Sequence, residues 1–272
     1  MIEGREIALA NLTVLDAAPP DIVDAAAAAG FDAVTLRLAG GGTGDPNPLV
    51  GDTPTRRETI ARLRHHGIGV LDMEVIRLRE DTEVAELAPV LESAAAIGAR
   101  HVLVISQDAD EDRVVEHFAE ICEAAHGFGM RTVLEFMVFT AIKTVEQADR
   151  IIGRARHPAG AVLVDPLHLR RSGGSPADVA ALVALNADRY PYAQFCDGLL
   201  ATPDGRGPAL YAEAVEDRLA PGEGELPLAE LLAALPAGAA LSVEAPVAAY
   251  AHLGAGERAQ RLIAATRRLL EG

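Results

Sequence analysis

Two hydrophobic periods alternate along this chain. Short apolar runs rich in Val, Ile and Leu predict buried strands, and the longer stretches between them place apolar residues with the helical period. The predicted strands are 7–12, 32–37, 69–75, 101–106, 130–135, 160–165, 190–196 and 240–244. The predicted helices are 20–29, 54–66, 82–97, 111–127, 144–155, 176–187, 227–235 and 255–270.

Capping residues support these boundaries. Thr53, Thr144 and Ser175 stand where helices should begin, and Gly30 and Gly67 stand where helices should end. Eight strand and helix pairs with short joints and no break in composition favour a single α/β domain over residues 1–272. The length suits one closed (β/α)₈ barrel, which typically needs about 250 residues.

Four predicted strands in the second half of the chain carry an oxygen donor at or near their carboxyl end. These donors are Glu135, Asp165, Gln194 and Glu244. The carboxyl ends of parallel strands share one face of such a barrel, so we expect the four side chains to converge. Each alone could cap a helix or pair with an arginine, but together without a cation they would be badly destabilising. The pattern therefore predicts a divalent metal site.

The donor chemistry predicts one hard cation per chain, of the Mn²⁺, Mg²⁺ or Co²⁺ type. Cys196 and Asp197 are rival donors beside Gln194, but one sulfur among oxygens suits neither Mg²⁺ nor Mn²⁺, so we interpret Cys196 as packing. His168 follows Asp165 by three residues and could turn back over the pocket toward the substrate. The alternative for His168 is a solvated loop histidine.

Two connections, 40–52 and 198–225, are longer than the others and lie on the same predicted face. Loops on that face build substrate pockets in barrel enzymes. Arg77, Arg206 and Arg218 are candidate anchors for a substrate carboxylate or phosphate, and Glu223 is a further candidate for substrate binding. The alternative for each arginine is a solvated surface charge.

A net charge of −16 argues against a nucleic-acid partner, because phosphate backbones are bound by clustered Lys and Arg. No apolar run is long enough to span a membrane, and the first residues do not resemble a signal peptide, so we expect a cytoplasmic protein with a small-molecule substrate. The two cysteines form no disulfide framework. The oligomeric state stays open, a homo-oligomer included.

The motifs DPLH at 165–168, QFCD at 194–197, APGEGELPL at 220–228 and SVE at 242–244, with Glu135 before them, together resemble the xylose isomerase-like barrel superfamily of sugar isomerases and epimerases. The resemblance implies a TIM barrel in which Glu135, Asp165, Gln194 and Glu244 bind one divalent ion.

Gln194 departs from the His that most epimerases of this superfamily have at that position. The change resembles the dehydratases that convert 3-dehydroshikimate to protocatechuate, where a Gln donor precedes an Arg-x-x-Pro-Gly segment. Here that segment is RLAPGEG, beginning at Arg218.

Both resemblances share one first step, the removal of a proton beside a carbonyl to give an enolate. Glu135 and Glu244 are the predicted base and acid, with His168 as a further catalytic candidate. Isomerisation or epimerisation of a ketose-like compound is the leading hypothesis, and dehydration of 3-dehydroshikimate or a keto-inositol is the alternative. A barrel that binds sugar without turnover also stays open, whereas the acidic charge disfavours an apurinic endonuclease.

Overall fold

Eight parallel strands form one sheet in the computed structural model, which describes residues 1–2, 4–38, 47–203 and 207–272. Each strand is almost wholly buried, as expected of a sheet covered by helices. The strands are β1 (Ile7–Leu9), β2 (Ala33–Arg37), β3 (Gly69–Leu78), β4 (Ala99–Ser106), β5 (Arg131–Glu135), β6 (Gly160–Leu163), β7 (Tyr192–Phe195) and β8 (Ala240–Val243).

The sheet curls into a barrel. Neighbours pair in the order β6, β5, β4, β3, β2, β1, β8, β7, and a parallel bridge between Val164 and Ala193 joins the two ends. The backbone amide of Gln194 donates to the Val164 carbonyl across this closure at 3.0 Å. The predicted (β/α)₈ barrel is confirmed.

Helices follow the strands and cover the barrel. Over the residues that the structure describes, the α-helices are α1 (Pro19–Ala29), α2 (Pro54–His66), α3 (Ala88–Ile97), α4 (Glu111–His126), α5 (Val145–Ala155), α6 (Pro166–Arg171), α7 (Pro176–Leu185), α8 (Pro208–Glu216), α9 (Leu228–Ala234) and α10 (Ala255–Glu271). Short 3₁₀ helices occupy Asn11–Val14, Val84–Leu87, Ala187–Arg189 and Ala248–Tyr250.

Two helices differ from the sequence prediction. The six residues of α6 are too few to show a helical period, and α8 lies within the long connection at 198–225, where Gly and Pro indicated a loop. Both follow strands at the carboxyl end of the barrel. They therefore place side chains over the barrel mouth.

The interior of the barrel is packed with side chains. Small and branched residues fill it, and the Tyr192 hydroxyl donates to the Asp72 carboxylate at 2.6 Å across its centre. Burial and the neighbouring Glu74 raise the pKa of Asp72 well above its usual range. The floor of the barrel is thus closed, which leaves the carboxyl end as the open face.

An ion pair between α4 and α5 gives a pH-dependent contribution to stability. Arg150 donates to Glu111 at 2.7 and 3.1 Å, and hydrogen bonding to Arg150 lowers the pKa of Glu111 from 4.5 to about 2. Because the folded pKa is depressed, the contribution is present above pH 4.5 and is lost as the pH falls toward 2.

We expect Glu111→Gln to lower the free energy of unfolding by about 1 kcal/mol at pH 7, since the pair is partly exposed. Urea denaturation from pH 7 to pH 3 should show this difference shrinking with acidity. Glu120→Gln, an exposed change on the same helix, is the control and should have little effect. A Glu111→Gln deficit that is the same at both pH values would contradict the expectation.

Candidate active site

A cavity of about 780 Å³ opens at the carboxyl ends of the strands. Its floor contains Glu74, Glu135, Gln194 and Glu244, and Phe139 and residues of α8 border it higher up. A concave cavity with convergent polar groups at its base is the usual arrangement of a small-molecule site.

The four predicted metal donors are all buried and lie in one connected group. Glu135 ends β5, Asp165 follows β6, Gln194 lies in β7 and Glu244 follows β8, and none is more than 5% exposed. Their convergence follows from the barrel, because each stands at the carboxyl end of its strand.

Glu135, Asp165 and His168 form a cluster that could hold a metal ion. One ligand atom from each lies within 4.8 Å of the others. His168 Nε2 lies 3.7 Å from Glu135 Oε1, and burial lowers the pKa of His168 to about 4, so the imidazole is neutral at pH 7. A neutral imidazole can accept a proton or ligate a metal.

His168 is not a solvated loop residue. It lies within α6 and is 2% exposed. Asp165 caps this helix, accepting hydrogen bonds from the amides of Leu167 at 2.7 Å and His168 at 3.0 Å. The solvated alternative considered from the sequence is therefore wrong, because the helix turns the ring back toward Glu135.

Gln194 presents a free acceptor. Its Nε2 donates to Glu244 Oε1 at 2.9 Å, which fixes the orientation of the amide. Its Oε1 is buried and has no hydrogen-bond donor among the described residues. A buried oxygen without a donor is costly, and a cation beside it would satisfy it.

Arg218 lies at the centre of the acidic group and is 2% exposed. Its Nη1 donates to Asp165 Oδ2 at 2.5 Å and to the Glu244 carbonyl at 3.1 Å, and Nη2 lies 2.9 Å from Glu244 Oε2. Its Nε donates to the Ala214 carbonyl in α8 at 2.6 Å, and Nη1 lies 3.5 Å from Cys196 Sγ. The guanidinium therefore joins two carboxylates of the site to α8.

A backbone bridge fixes the position of Arg218. Leu219 and Asp197 exchange amide hydrogen bonds of 2.9 Å, which ties the segment after Arg218 to the end of β7. Asp197 also accepts from the Gly222 amide at 3.1 Å, and a Cβ at Gly224 would overlap the Asp197 carboxylate. Asp197 is thus a structural residue of the loop.

The carboxylates of the site interact strongly. Burial and the charges of Glu244 and Asp165 raise the pKa of Glu135 well above its usual range. Burial likewise raises the pKa of Glu244 to about 8, although Arg218 opposes the shift. Burial opposes ionisation of Asp165 too, but Arg218 and His168 hold its pKa below the usual value.

The donor set fits a divalent cation. With Glu135, Asp165 and Glu244 ionised, the guanidinium of Arg218 neutralises one charge and leaves two negative charges uncompensated. A hard divalent ion would neutralise those two charges and satisfy the donor-free oxygen of Gln194.

Sequence reasoning missed Glu74 and its neighbours. Glu74 lies in β3 at 4% exposure, accepts a hydrogen bond from the Thr35 hydroxyl, and has Arg37 at 3.9 Å. The signal was an acidic residue in the apolar run GVLDMEVIRL, followed by more strand than was predicted. Phe139 and Tyr211, with ring centroids 5.4 Å apart, were also missed.

The predicted substrate-binding residues differ in their positions. Arg77 lines the cavity. Arg218 faces it but is engaged with Asp165 and Glu244. Glu223 is exposed 3.5 Å from Arg268 and does not line the cavity. Arg206 lies outside the described residues.

The structure also tests the membrane prediction. Among the described residues, none of the helices combines the length and the apolar character that a membrane crossing needs.

A family model described as the xylose isomerase-like TIM barrel matches residues 23–269. Comparison with curated protein sequences gives no match. Among solved structures, the chain is similar to a protein named IolI with a bound zinc atom, at a TM-score of 0.82 and 18% identity, covering 98% of each chain.

Two further solved structures are similar. One is a xylose isomerase-like TIM barrel/4-hydroxyphenylpyruvate dioxygenase fusion protein, with a TM-score of 0.78 and 21% identity, covering 96% of this chain but 42% of that one. The other is D-psicose 3-epimerase with D-tagatose from Clostridium cellulolyticum H10, with a TM-score of 0.71 and 14% identity, covering 97% and 99%. At these identities the likeness shows the fold alone.

Proposed function

Because the chain belongs to the xylose isomerase-like TIM barrel family, we propose that it is a divalent-metal-dependent isomerase or epimerase of a small polyhydroxylated carbonyl compound. The observation that carries the proposal is the buried floor of the cavity, which is lined by Glu135, Glu244 and Gln194 with its donor-free oxygen. The similarity to D-psicose 3-epimerase with D-tagatose supports this class of reaction.

Glu135, Asp165, Gln194 and Glu244 would hold the ion, with His168 as an adjacent donor. When bound, it supplies Lewis-acid stabilisation of the negative charge that develops on the substrate oxygen. The remaining chemistry belongs to the side chains of this protein.

Glu135 and Glu244 are the proposed acid and base. Both carboxylates face the cavity, and burial raises the pKa of each, to about 8 for Glu244. A general acid–base group works best when its pKa is near the working pH. One takes the proton from carbon, and the other returns a proton to the opposite face or to the neighbouring carbon. His168, whose Nε2 lies 3.7 Å from Glu135 Oε1, is the further candidate for a catalytic role.

Dehydration of a cyclic keto acid is the second candidate, through the same enolate. It is supported by Gln194, whose side-chain amide donates to Glu244, and by the segment from Arg218, whose guanidinium donates to Asp165. Loss of a β-hydroxyl from the enolate would then replace reprotonation.

The proposal predicts that chelation abolishes turnover and lowers the melting temperature, because an ion bound only by the folded state stabilises that state. Elemental analysis and a thermal melt with and without EDTA measure both. Unchanged melting together with no metal in the purified protein would contradict the metal assignment.

The substrate can be identified by the uptake of deuterium from solvent at carbon. Ketoses, ketose phosphates, keto sugar acids, inosose and 3-dehydroshikimate are each incubated in D₂O with metal-loaded protein, and deuterium at carbon is read by NMR or mass spectrometry. Exchange without dehydration supports the isomerase or epimerase, and formation of a dehydrated product supports the dehydratase. A fully loaded protein that exchanges no carbon proton in any of these compounds would contradict both.

A further inference from the structure

We propose that the substrate carries an anionic group, a carboxylate or a phosphate, and that Arg37, Arg77 and Arg79 bind it on one wall of the cavity. The three arginines line the cavity on the side of β2 and β3. The inference rests on the proposed function for the role of the cavity, and its test needs no turnover.

The length of β3 places these arginines. This strand has ten residues and continues beyond Glu74, so Arg77 and Arg79 stand nearer the mouth than the acidic floor. Ile76 and Leu78 pack into the core outside the barrel, while Val75 and Arg77 face the cavity, as strand alternation requires. Arg37 pairs with Glu74 in the strand register and completes the wall from β2.

The guanidinium groups of this wall lack close acidic partners. Arg37 has Glu74 only at 3.9 Å, and its Nε is buried without an acceptor among the described residues. Within the described ranges, neither Arg77 nor Arg79 donates a side-chain hydrogen bond or lies within 4.0 Å of a carboxylate. By contrast, Arg113 forks onto Asp108 at 2.5 and 2.7 Å, as arginines usually do in this acidic chain.

The acidic residues of the cavity neutralise this wall only in part. Glu74 lies 3.9 Å from Arg37 and also accepts a hydrogen bond from Thr35, and among the described residues the exposed Glu216 forms no ion pair with any of the three arginines. Burial and the nearby charges of Arg37 and Arg79 lower the pKa of Arg77. An anion bound there would offset this repulsion and accept several charge-assisted hydrogen bonds.

The wall and the floor together indicate a bifunctional substrate. Hydroxyl and carbonyl oxygens would meet the metal-binding floor, and the anionic end would meet the arginines nearer the mouth. A sugar acid, a keto acid or a sugar phosphate has this form. A free ketose or a keto-inositol does not.

The test compares three six-carbon ligands that differ mainly at one end and have no ketone to react. D-gluconate carries a carboxylate, D-sorbitol 6-phosphate carries a phosphate, and D-sorbitol is neutral. Isothermal titration calorimetry on metal-loaded protein measures their affinities. We expect at least one anionic ligand to bind about ten to a hundred times more tightly than sorbitol, the scale of charge-assisted hydrogen bonds.

Arg77→Met should remove most of that preference and leave sorbitol binding unchanged. Arg64→Met, which removes an exposed arginine of α2 outside the cavity, is the matched control and should keep the preference. The anionic ligand that binds more tightly shows whether the substrate group is a carboxylate or a phosphate.

Equal binding of the three ligands, including no binding of any, would overturn the proposal. So would a preference that survives in Arg77→Met, because the anion would then be held by the metal and not by the wall. Neither result bears on carbon-proton exchange, so failure here is distinguishable from failure of the proposed isomerase or dehydratase.

Discussion

Replacing Glu135 or Glu244 by Gln lowers the rate on any true substrate by about 10²- to 10⁴-fold, the usual contribution of a general acid–base group. Gln keeps an oxygen donor and nearly the same shape, so part of the metal affinity should remain. What is lost is the carboxylate that takes or returns the proton. Solvent-deuterium exchange and metal content, measured on the same samples, separate the two effects.

Stability should not explain the loss. Burial and the like charges of Glu244 and Asp165 disfavour the Glu135 carboxylate, so exchanging it for a neutral amide relieves repulsion in the metal-free protein. The metal-free melting temperature of Glu135→Gln should therefore equal or exceed that of the wild type, whereas Glu244→Gln also loses its ion pair with Arg218.

Two further variants serve as controls for the rate loss. Glu216→Gln removes an exposed carboxylate at the edge of the same cavity and should keep nearly full activity. Gln194→His introduces the donor common in epimerases and removes no proton-transfer group, so it should retain metal and measurable exchange. Full exchange in both glutamate variants with metal bound would refute the assignment, and His168 would be tested next.

Arg218→Met destabilises the metal-free protein by about 3 to 5 kcal/mol, the usual cost of removing one partner from a buried ion pair. The variant leaves Asp165 and Glu244 without their guanidinium partner in the interior. Guanidinium chloride denaturation in EDTA measures the change. Added Mn²⁺ should reduce the difference in free energy of unfolding between the variant and the wild type, because a divalent ion supplies positive charge to the same carboxylates.

Arg171→Met is the matched control for this prediction. The side chain of Arg171 is also 2% exposed, and it donates two hydrogen bonds to one carboxylate, that of Glu213, away from Asp165 and Glu244. Arg171→Met should also lower the free energy of unfolding, but added Mn²⁺ should leave that decrease unchanged. An Arg218→Met variant within about 1 kcal/mol of the wild type in EDTA would contradict the role of Arg218 as the internal counter-charge.

Periodicity sufficed for the barrel and for the convergence of the four predicted donors on one face, because both depend on strand ends. Glu135 and Glu244 stand at the boundary of clear apolar runs, and a parallel barrel leaves one face for such ends. Short elements were beyond this reasoning. A six-residue α6 has less than two turns, so its sequence could not show that His168 turns inward.

Partner choice was the other limit. The sequence predicts that Arg218 lies near the site. Whether its guanidinium contacts a substrate anion or the protein's own carboxylates depends on the backbone bridge between Leu219 and Asp197, which fixes its position. Such a contact between distant segments has no local signature. Glu74 was overlooked for a similar reason, since its inward direction depends on where β3 bulges against β2.

The proximity of Cys196 to Arg218 makes this thiol an intrinsic reporter of loop opening. The sulfur is fully buried 3.5 Å from the guanidinium, and burial raises its pKa far above the usual value, so a maleimide cannot react while the segment from Arg218 is seated. Cys122 is equally buried, beneath a different part of the barrel, and serves as the internal reference. Faster labelling of Cys196 than of Cys122 would therefore show that the lining of the cavity detaches while the rest of the barrel stays folded.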